Sequence, residues 1–376
     1  MTAFAEFNVA KSKGGRSPRI LVTIDAVGGV WRYAMDLASG LAQYGYVFTF
    51  AGFGPAPSEA QRAEAERLGE LVWFDAPLDW TAGHEAELDC IPALLEAVTA
   101  ERQVDLVHLN LPSQACGLNV DVPLLMVSHS CVVTWFAAVR QTGVPPDWQW
   151  QYRRNRAGFD LADAVVAPSH SHAGMLRRSY GQINGLGVVY NGTRPAGEIA
   201  EKEAQIFAAG RWWDDGKNGG LLDEAAGRSA WPVTMAGSVS GPNGQYRALR
   251  HARQIGELPH AEILQHMARS AIVASPSRYE PFGLAPLEAA QAGAALVLAD
   301  IPTYRELWDE AALFAPADDA EAFADAMNRL ASDDALRHEY GVRARERSAR
   351  YTLEAQARAM QSIYDHLLHP AAAREA

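Results

Sequence analysis

The chain has 376 residues and 40.8 kDa, with 48% hydrophobic and 21% charged side chains. That is the balance of an ordinary globular protein, not of a disordered or fibrous one, and at roughly 150 residues per domain it predicts two or three domains. Lys plus Arg number 33 and Asp plus Glu 45, a formal charge of −12; this argues against general nucleic-acid binding while leaving room for a local basic pocket. Cys90, Cys116 and Cys131 stand apart without metal-ligand spacing, so neither a disulfide framework nor a zinc site is expected. No apolar run reaches the ~20 residues of a membrane span, and the start carries Lys11, Lys13 and Arg16 without the apolar core of a secretory leader. The expectation is a cytoplasmic protein without a transmembrane segment, at most peripheral at the inner membrane surface.

Residues 1–18 read as a loose tail closed by Pro18. Ile20 to Ile24 is β-rich, Asp25 to Gly29 supplies a turn, and Val30, Ala34, Leu37 and Leu41 recur at helical spacing before Gly45. Val47 to Ala51 is the next strand, completing a βαβ unit of the kind that builds helix-covered parallel sheets. Further strands are predicted at 71–74, 106–109, 124–128, 164–167 and 187–190, and helices at 91–100 and 169–180. Apolar runs of this length suit strands buried on both faces. Asn191-Gly192-Thr193-Arg194-Pro195 breaks the rhythm with turn chemistry, and a charged stretch follows, which places a domain boundary at 192–200.

The alternation then restarts, with strands at 205–209, 231–236, 271–274 and 295–298 and helices at 218–226, 261–268 and 284–292; helices dominate from 320 onward. The resulting division is a first α/β domain over 19–195, a second over 196–350 and a C-terminal segment over 351–376. Two doubly wound domains facing across a cleft would hold ligands at the carboxyl ends of their strands. Dehydrogenases, kinases and sugar transferases all share that much.

The most informative segment is Ser275-Pro276-Ser277-Arg278-Tyr279-Glu280-Pro281-Phe282-Gly283-Leu284-Ala285-Pro286-Leu287-Glu288, which leaves a buried strand and opens a helix. Gly283 allows close backbone approach, and Pro286 is tolerated in the first turn because its missing N–H has no partner to lose there. The free N–H groups of Leu284 and Ala285 and the positive helix end make an anion site suited to a diphosphate. Eight residues of helix between Glu280 and Glu288 would span about 12 Å, against the roughly 5–9.5 Å of a hydrolase pair. The two acids therefore read as hydroxyl binders for different sugar rings. In Gly210-Arg211-Trp212-Trp213-Asp214-Asp215-Gly216-Lys217, Arg211 ends a strand and Lys217 precedes a helix, so a bidentate fork and a point charge could meet one diphosphate. Asp214 and Asp215 read as turn and helix-start residues, since no third oxygen ligand for a metal is evident.

Together these segments resemble the retaining glycosyltransferases of the GT-B fold in glycosyltransferase family four, whose Glu-x7-Glu signature is met by Glu280 and Glu288. The ordered set Gly28-Gly29, Pro168-Ser169, Asn191-Gly192, Arg211, Lys217, Gly237, Gly256, Ser275-Pro276-Ser277 and Gly293 extends the resemblance through both halves. It implies two Rossmann-like domains, an acceptor side and a donor side, and a C-terminal helix after Tyr351 that crosses back to the first domain. It also implies a nucleoside-diphosphate-sugar co-substrate, UDP- or GDP-linked, a saccharide, lipid-linked or small-molecule acceptor, and no metal or other cofactor. Arg211 and Lys217 would neutralise the leaving diphosphate, and Glu280 with the backbone of Phe282, Gly283 and Leu284 would hold the donor sugar. Glu288 would bind ribose, the backbone near Ile255 would read the base, Gly29 would approach from the opposite domain, and His129 would sit near the sugar C6 hydroxyl. Trp135, Trp148 and Trp150, with Phe136 and Tyr152, read either as a stacking surface for an acceptor or as core and lid. Arg153, Arg154 and Arg156 read either as a contact for an anionic acceptor or membrane surface or as a solvated helix face, and the −12 charge favours the latter. The rival classes are a nucleotide-sugar epimerase of the same shape, for which only Asp25 offers an obvious first-domain acid, and a non-catalytic nucleotide-sugar binder. A dinucleotide oxidoreductase fits poorly, because no Gly-x-Gly-x-x-Gly is completed.

Overall fold

A computed structural model describes residues 16–194 and 200–370. Most of the expected N-terminal tail, the middle of the expected domain boundary (195–199) and residues 371–376 lie outside the described residues. The first half runs β1 (Arg19–Asp25), α1 (Gly29–Leu41), β2 (Val47–Phe53), α2 (Glu59–Glu66), β3 (Gly69–Trp73), α3 (Ile91–Glu101) and β4 (Leu106–Leu109). It continues with β5 (Leu124–Val127), α4 (Val132–Trp135), α5 (Gln149–Leu161), β6 (Ala164–Ala167), α6 (His170–Tyr180) and β7 (Leu186–Val188). The second half holds β8 (Glu203–Ala209), α7 (Gly219–Ala226), β9 (Val233–Ala236), β10 (Arg253–Gly256), α8 (His260–Arg269), β11 (Ser270–Ser275) and α9 (Leu284–Gln291). Then come β12 (Ala295–Ala299), α10 (Pro302–Trp308), β13 (Leu313–Ala315), α11 (Ala320–Ser332), α12 (Asp334–Ser348) and α13 (Leu353–Leu368).

The strands form two parallel sheets, ordered β3-β2-β1-β4-β5-β6-β7 and β10-β9-β8-β11-β12-β13. In each, the winding direction reverses once, between β1 and β4 and between β8 and β11, and the crevice at such a reversal is where ligands enter open α/β sheets. This is the GT-B architecture. β1, β6, β9, β11 and β12 are buried almost throughout, as strands covered by helices on both faces must be.

Several elements go beyond the sequence expectation, the short helix α4 and the edge strand β10 among them. α2 begins at Ser58, whose side chain accepts from the Gln61 N–H while the Gln61 side chain accepts from the Ser58 N–H, a capping box. α10 starts on Pro302 and leads into the three-residue strand β13, too short to show a period. α5 carries the Arg153–Arg156 cluster, and here the solvated-face reading fails for Arg154. That side chain is buried, pairing with Asp89 and donating to the Leu88 carbonyl, while Arg153 and Arg156 do meet Glu85 and Asp160 at the surface. Trp150 of the same helix is also core.

α13 belongs physically to the first sheet. Its Ala357, Met360 and Tyr364 are fully buried against Ile20, Phe50 and Leu125, and Tyr46 donates to Asp365 at 2.7 Å. The linker makes this return possible: Gly192 donates its N–H to the Gln356 side chain at 2.8 Å, and a Cβ on Gly192 would lie 2.1 Å from the Thr352 carbonyl oxygen. Gly192→Ala should therefore push the linker off the start of α13 and lower unfolding stability by about 1–3 kcal/mol. Chemical denaturation followed by tryptophan fluorescence measures this, and an unchanged midpoint would show that the linker yields without loss.

Candidate functional site

The turn between β11 and α9 is set by Gly283, which caps the helix with φ +96°. A side chain there would be strained, and its Cβ would press on the Tyr304 ring at 3.0 Å. The turn brings α9 in with the first-turn N–H groups of Leu284 and Ala285 free of intrahelical acceptors, and Pro286 has none to satisfy. Phe282 anchors the turn from below, buried edge-on against Tyr351 at 5.7 Å.

The other half of the cleft approaches closely. Leu284 Cδ1 lies 3.8 Å from where a Gly29 Cβ would stand, and Arg211 Nη1 only 2.8 Å from a Gly28 Cβ. The glycines at the start of α1 thus leave the room that Arg211 and α9 occupy. Beneath them Asp25 is buried and accepts from the Val27 and Gly28 N–H groups at 2.9 and 3.1 Å. Burial raises its pKa, opposed by those N–H groups and by the Arg211 charge. Its carboxylate therefore shapes the Gly28-Gly29 turn. The Arg211 guanidinium lies 5.6 Å over the Trp213 ring and 3.6 Å from Asp214, with 37% of the side chain exposed.

The pairings of the remaining expected residues were not visible in the sequence. Lys217 Nζ sits 2.5 Å from Glu280 Oε2, so this cation is matched to the first acid of the Glu-x7-Glu pair. Glu288, one turn into α9, is only 8% exposed and pairs with His260 Nε2 at 2.7 Å. Ile255 is half-buried on the edge strand β10, two strands away from β8. His129 follows β5, partly buried, with Nε2 2.9 Å from the Asn110 side-chain oxygen and its ring edge-on to Tyr33 at 4.2 Å. Burial first, then the neighbouring His108 and His172, push its pKa down to about 3, so it is neutral at physiological pH. Asp214 accepts from the Gly216 N–H and from Trp135 Nε1 of the opposite half, while Asp215 pairs with Arg140 and Arg247. These acids act in a turn and in bridging the halves. Trp135 is thus a bridge, Trp148 packs on Phe136, and Tyr152 stacks on Tyr180. A separate cavity of about 660 Å³ opens beside the start of α7, lined by Arg247, Arg278 and the acids Asp215, Asp318, Asp319 and Glu321.

Further contacts tie the halves together around the cleft. Ser169 Oγ donates to the Pro281 carbonyl at 2.6 Å, and the Thr134 and Tyr279 hydroxyls meet at 2.8 Å. Glu306 of α10 accepts from the His170 and Ser171 N–H groups at 2.8 and 2.6 Å, capping α6 with an anion from across the interface. Sequence reasoning found neither Glu306 nor His260, because no local pattern links residues that meet only across packed elements.

The Glycosyltransferase Family 4 model matches residues 27–196, and the Glycosyl transferases group 1 model matches residues 235–347. Among solved structures, sucrose-phosphate synthase from Thermosynechococcus elongatus superposes with a TM-score of 0.77 at 19% identity, covering 95% of this chain and 100% of that one. Anabaena HepE in complex with UDP and glucose follows at TM-score 0.74 and 17% identity, covering 92% and 99%. At such identities the likeness concerns the fold. In sequence, the chain is 36% identical over 117 residues to the lipopolysaccharide core biosynthesis mannosyltransferase LpcC of Rhizobium leguminosarum bv. viciae, 30% of this chain and 33% of that protein. It is 47% identical over 57 residues to glycogen synthase of Mycobacterium tuberculosis, which is 15% of this chain and 14% of the relative's length. The chain therefore aligns with only a minor part of the curated relatives it matches.

The His260–Glu288 pair makes a pH prediction. Burial alone would lower the imidazole pKa, but the hydrogen bond and charge of Glu288 outweigh it, and the net shift is above the ordinary value of 6.5. The pair's contribution to stability is thus complete below pH 6.5 and is lost as pH rises through the elevated folded-state pKa. An NMR titration of the His260 ring should show a midpoint above 6.5 that falls in Glu288→Gln; an unshifted midpoint would remove the pairing.

Proposed function

Because this chain belongs to the GT-B glycosyltransferases of family four, we propose that it moves a sugar from a UDP- or GDP-linked donor to a saccharide, lipid-linked or small-molecule acceptor, retaining anomeric configuration and using no metal. The observation that carries the reading is the convergence of the α9 N-terminus and Arg211 on the Gly28-Gly29 turn, at the reversals of both sheets. A diphosphate there meets oriented backbone N–H groups, the positive helix end and a guanidinium whose fork matches its oxygens. HepE, with the same fold, has been crystallised with UDP and with UDP-glucose, which supports a nucleoside-diphosphate-sugar donor.

In this reading the bond from the anomeric carbon to the diphosphate oxygen breaks as the acceptor oxygen bonds to the same face. The acceptor proton passes to the departing phosphate. Charge grows on the diphosphate during that step, and Arg211, Lys217 and the α9 dipole stabilise it without needing to reorganise. Lys217 serves twice, since its pairing with Glu280 also aims that carboxylate. Glu280 and the backbone of Phe282 to Leu284 hold the donor-sugar hydroxyls, Glu288 holds the ribose, the backbone at Ile255 faces the base, and His129 meets the C6 hydroxyl.

A panel of nucleotide sugars with nucleotide release as readout tests the proposal. Arg211→Ala and Lys217→Ala should each lower kcat by about 10²-fold, and turnover should persist in EDTA. Wild-type rates in both variants would remove the assigned charges from the reaction, and strict dependence on added Mg²⁺ would remove the metal-free step. The anomeric configuration of the product, read by NMR, tests retention. Binding of donor without release or transfer would identify a non-catalytic binder instead.

A further inference from the structure

A buried hydrogen-bond chain runs from α13 to the cleft through three residues with no role in the proposal above. Tyr364 OH lies 2.7 Å from His108 Nδ1, His108 Nε2 lies 3.2 Å from Asn110 Oδ1, and the same oxygen lies 2.9 Å from His129 Nε2. Asn110 stands just past β4, at the reversal of the first sheet, and is 1% exposed. Its amide can face only one way. Nδ2 donates to the Thr23 carbonyl at 2.7 Å, and a flipped amide would set oxygen against oxygen there.

Proton placement follows from that orientation. Asn110 Oδ1 is an acceptor, so both imidazoles must present N–H at Nε2. Burial pushes His108, like His129, down to about 3, so each ring is neutral and carries one proton. His108 then has a bare Nδ1, which accepts from Tyr364 OH, and that branch is satisfied. His129 also has a bare Nδ1, with no protein partner among the described residues, and it is not among the buried unpartnered atoms. The edge-on Tyr33 ring restrains the imidazole from the α1 side.

We infer that Asn110 is a positioning residue that locks His129 as the Nε2–H tautomer, so that Nδ1 is a dedicated acceptor for a donor-sugar hydroxyl. His129 then holds the sugar by receiving a hydrogen bond, and the Tyr364–His108 branch keeps Asn110 in register with α13. This rests on the transferase reading for the identity of the ligand, while the tautomer itself does not.

The test is a long-range ¹H–¹⁵N spectrum of the full chain labelled at histidine, with His129→Gln to assign the signals. In the free protein His129 Nδ1 should show the unprotonated and Nε2 the protonated ¹⁵N shift. UDP and GDP should leave Nδ1 in place, whereas whichever of UDP-glucose and GDP-mannose is turned over should move it upfield, as for a nitrogen accepting a hydrogen bond. Asn110→Ala should abolish the single-tautomer signature and raise donor KM about three- to tenfold, the size of one neutral hydrogen bond, while inhibition by free nucleotide stays unchanged. A 6-deoxy form of that donor should erase the KM difference between variant and wild type. If Asn110→Ala does not fold, the wild-type spectra still decide the matter. Protonated Nδ1 in the free protein, or an Nδ1 signal unmoved by a donor that is turned over, overturns the inference. Failure of the transferase reading looks different: no donor is turned over, whatever the tautomer.

Discussion

Gly283 sets the geometry of the candidate site. Its left-handed backbone turns the chain out of β11 so that α9 starts with unpaired N–H groups facing the cleft, and a helix start is electropositive wherever it points. Every other charge at the site is placed relative to that turn. Glu280 precedes it and is held by Lys217, Glu288 follows one helical turn later and is held by His260, and Arg211 closes in over Gly28. A Cβ at 283 would strain the backbone and strike Tyr304, moving both acids together with the helix start.

The second ingredient is the way the two sheets are held face to face. Several contacts across the cleft are polar: a serine on a carbonyl, two hydroxyls, a tryptophan N–H on Asp214, and Glu306 on the start of α6. The serine–carbonyl and hydroxyl–hydroxyl contacts are themselves buried, so each group depends on its partner across the cleft to stay hydrogen-bonded. α13 adds an apolar tie: its side chains are sealed into the first sheet's core, and the Gly192 N–H is bonded to Gln356 near its start.

Much of this was legible in the residues. Strands buried on both faces leave uninterrupted apolar runs, which is why Val165 to Ala167 and Leu296 to Leu298 could be placed without any alignment. The Gly283–Pro286 helix start could be read because its cause is local: a residue free to adopt positive φ, followed by a proline that needs no N–H partner. α2 had an equally local signal in Ser58 and Gln61, and it was overlooked because so few apolar residues follow it. β13 had none, since three residues define no period. The arginine cluster on α5 misled for a different reason. Composition predicts a charged side chain outside, and only packing reveals that the buried Arg154 reaches the Leu88 carbonyl and the surface carboxylate of Asp89.

By itself, then, the order of residues determined the alternation of strands and helices, the doubly wound class, the glycine-capped start of α9 and the identity of the acids and cations around it. All of these depend on neighbours within a few positions of one another. Tertiary structure alone decided which acid answers which cation, that Arg211 meets Gly28 across the cleft, that Glu306 caps a helix of the other half, and that Asn110 faces two histidines with one oxygen. Those facts concern groups far apart in the chain, and their partners are selected by how sheets and helices pack, which no local pattern encodes.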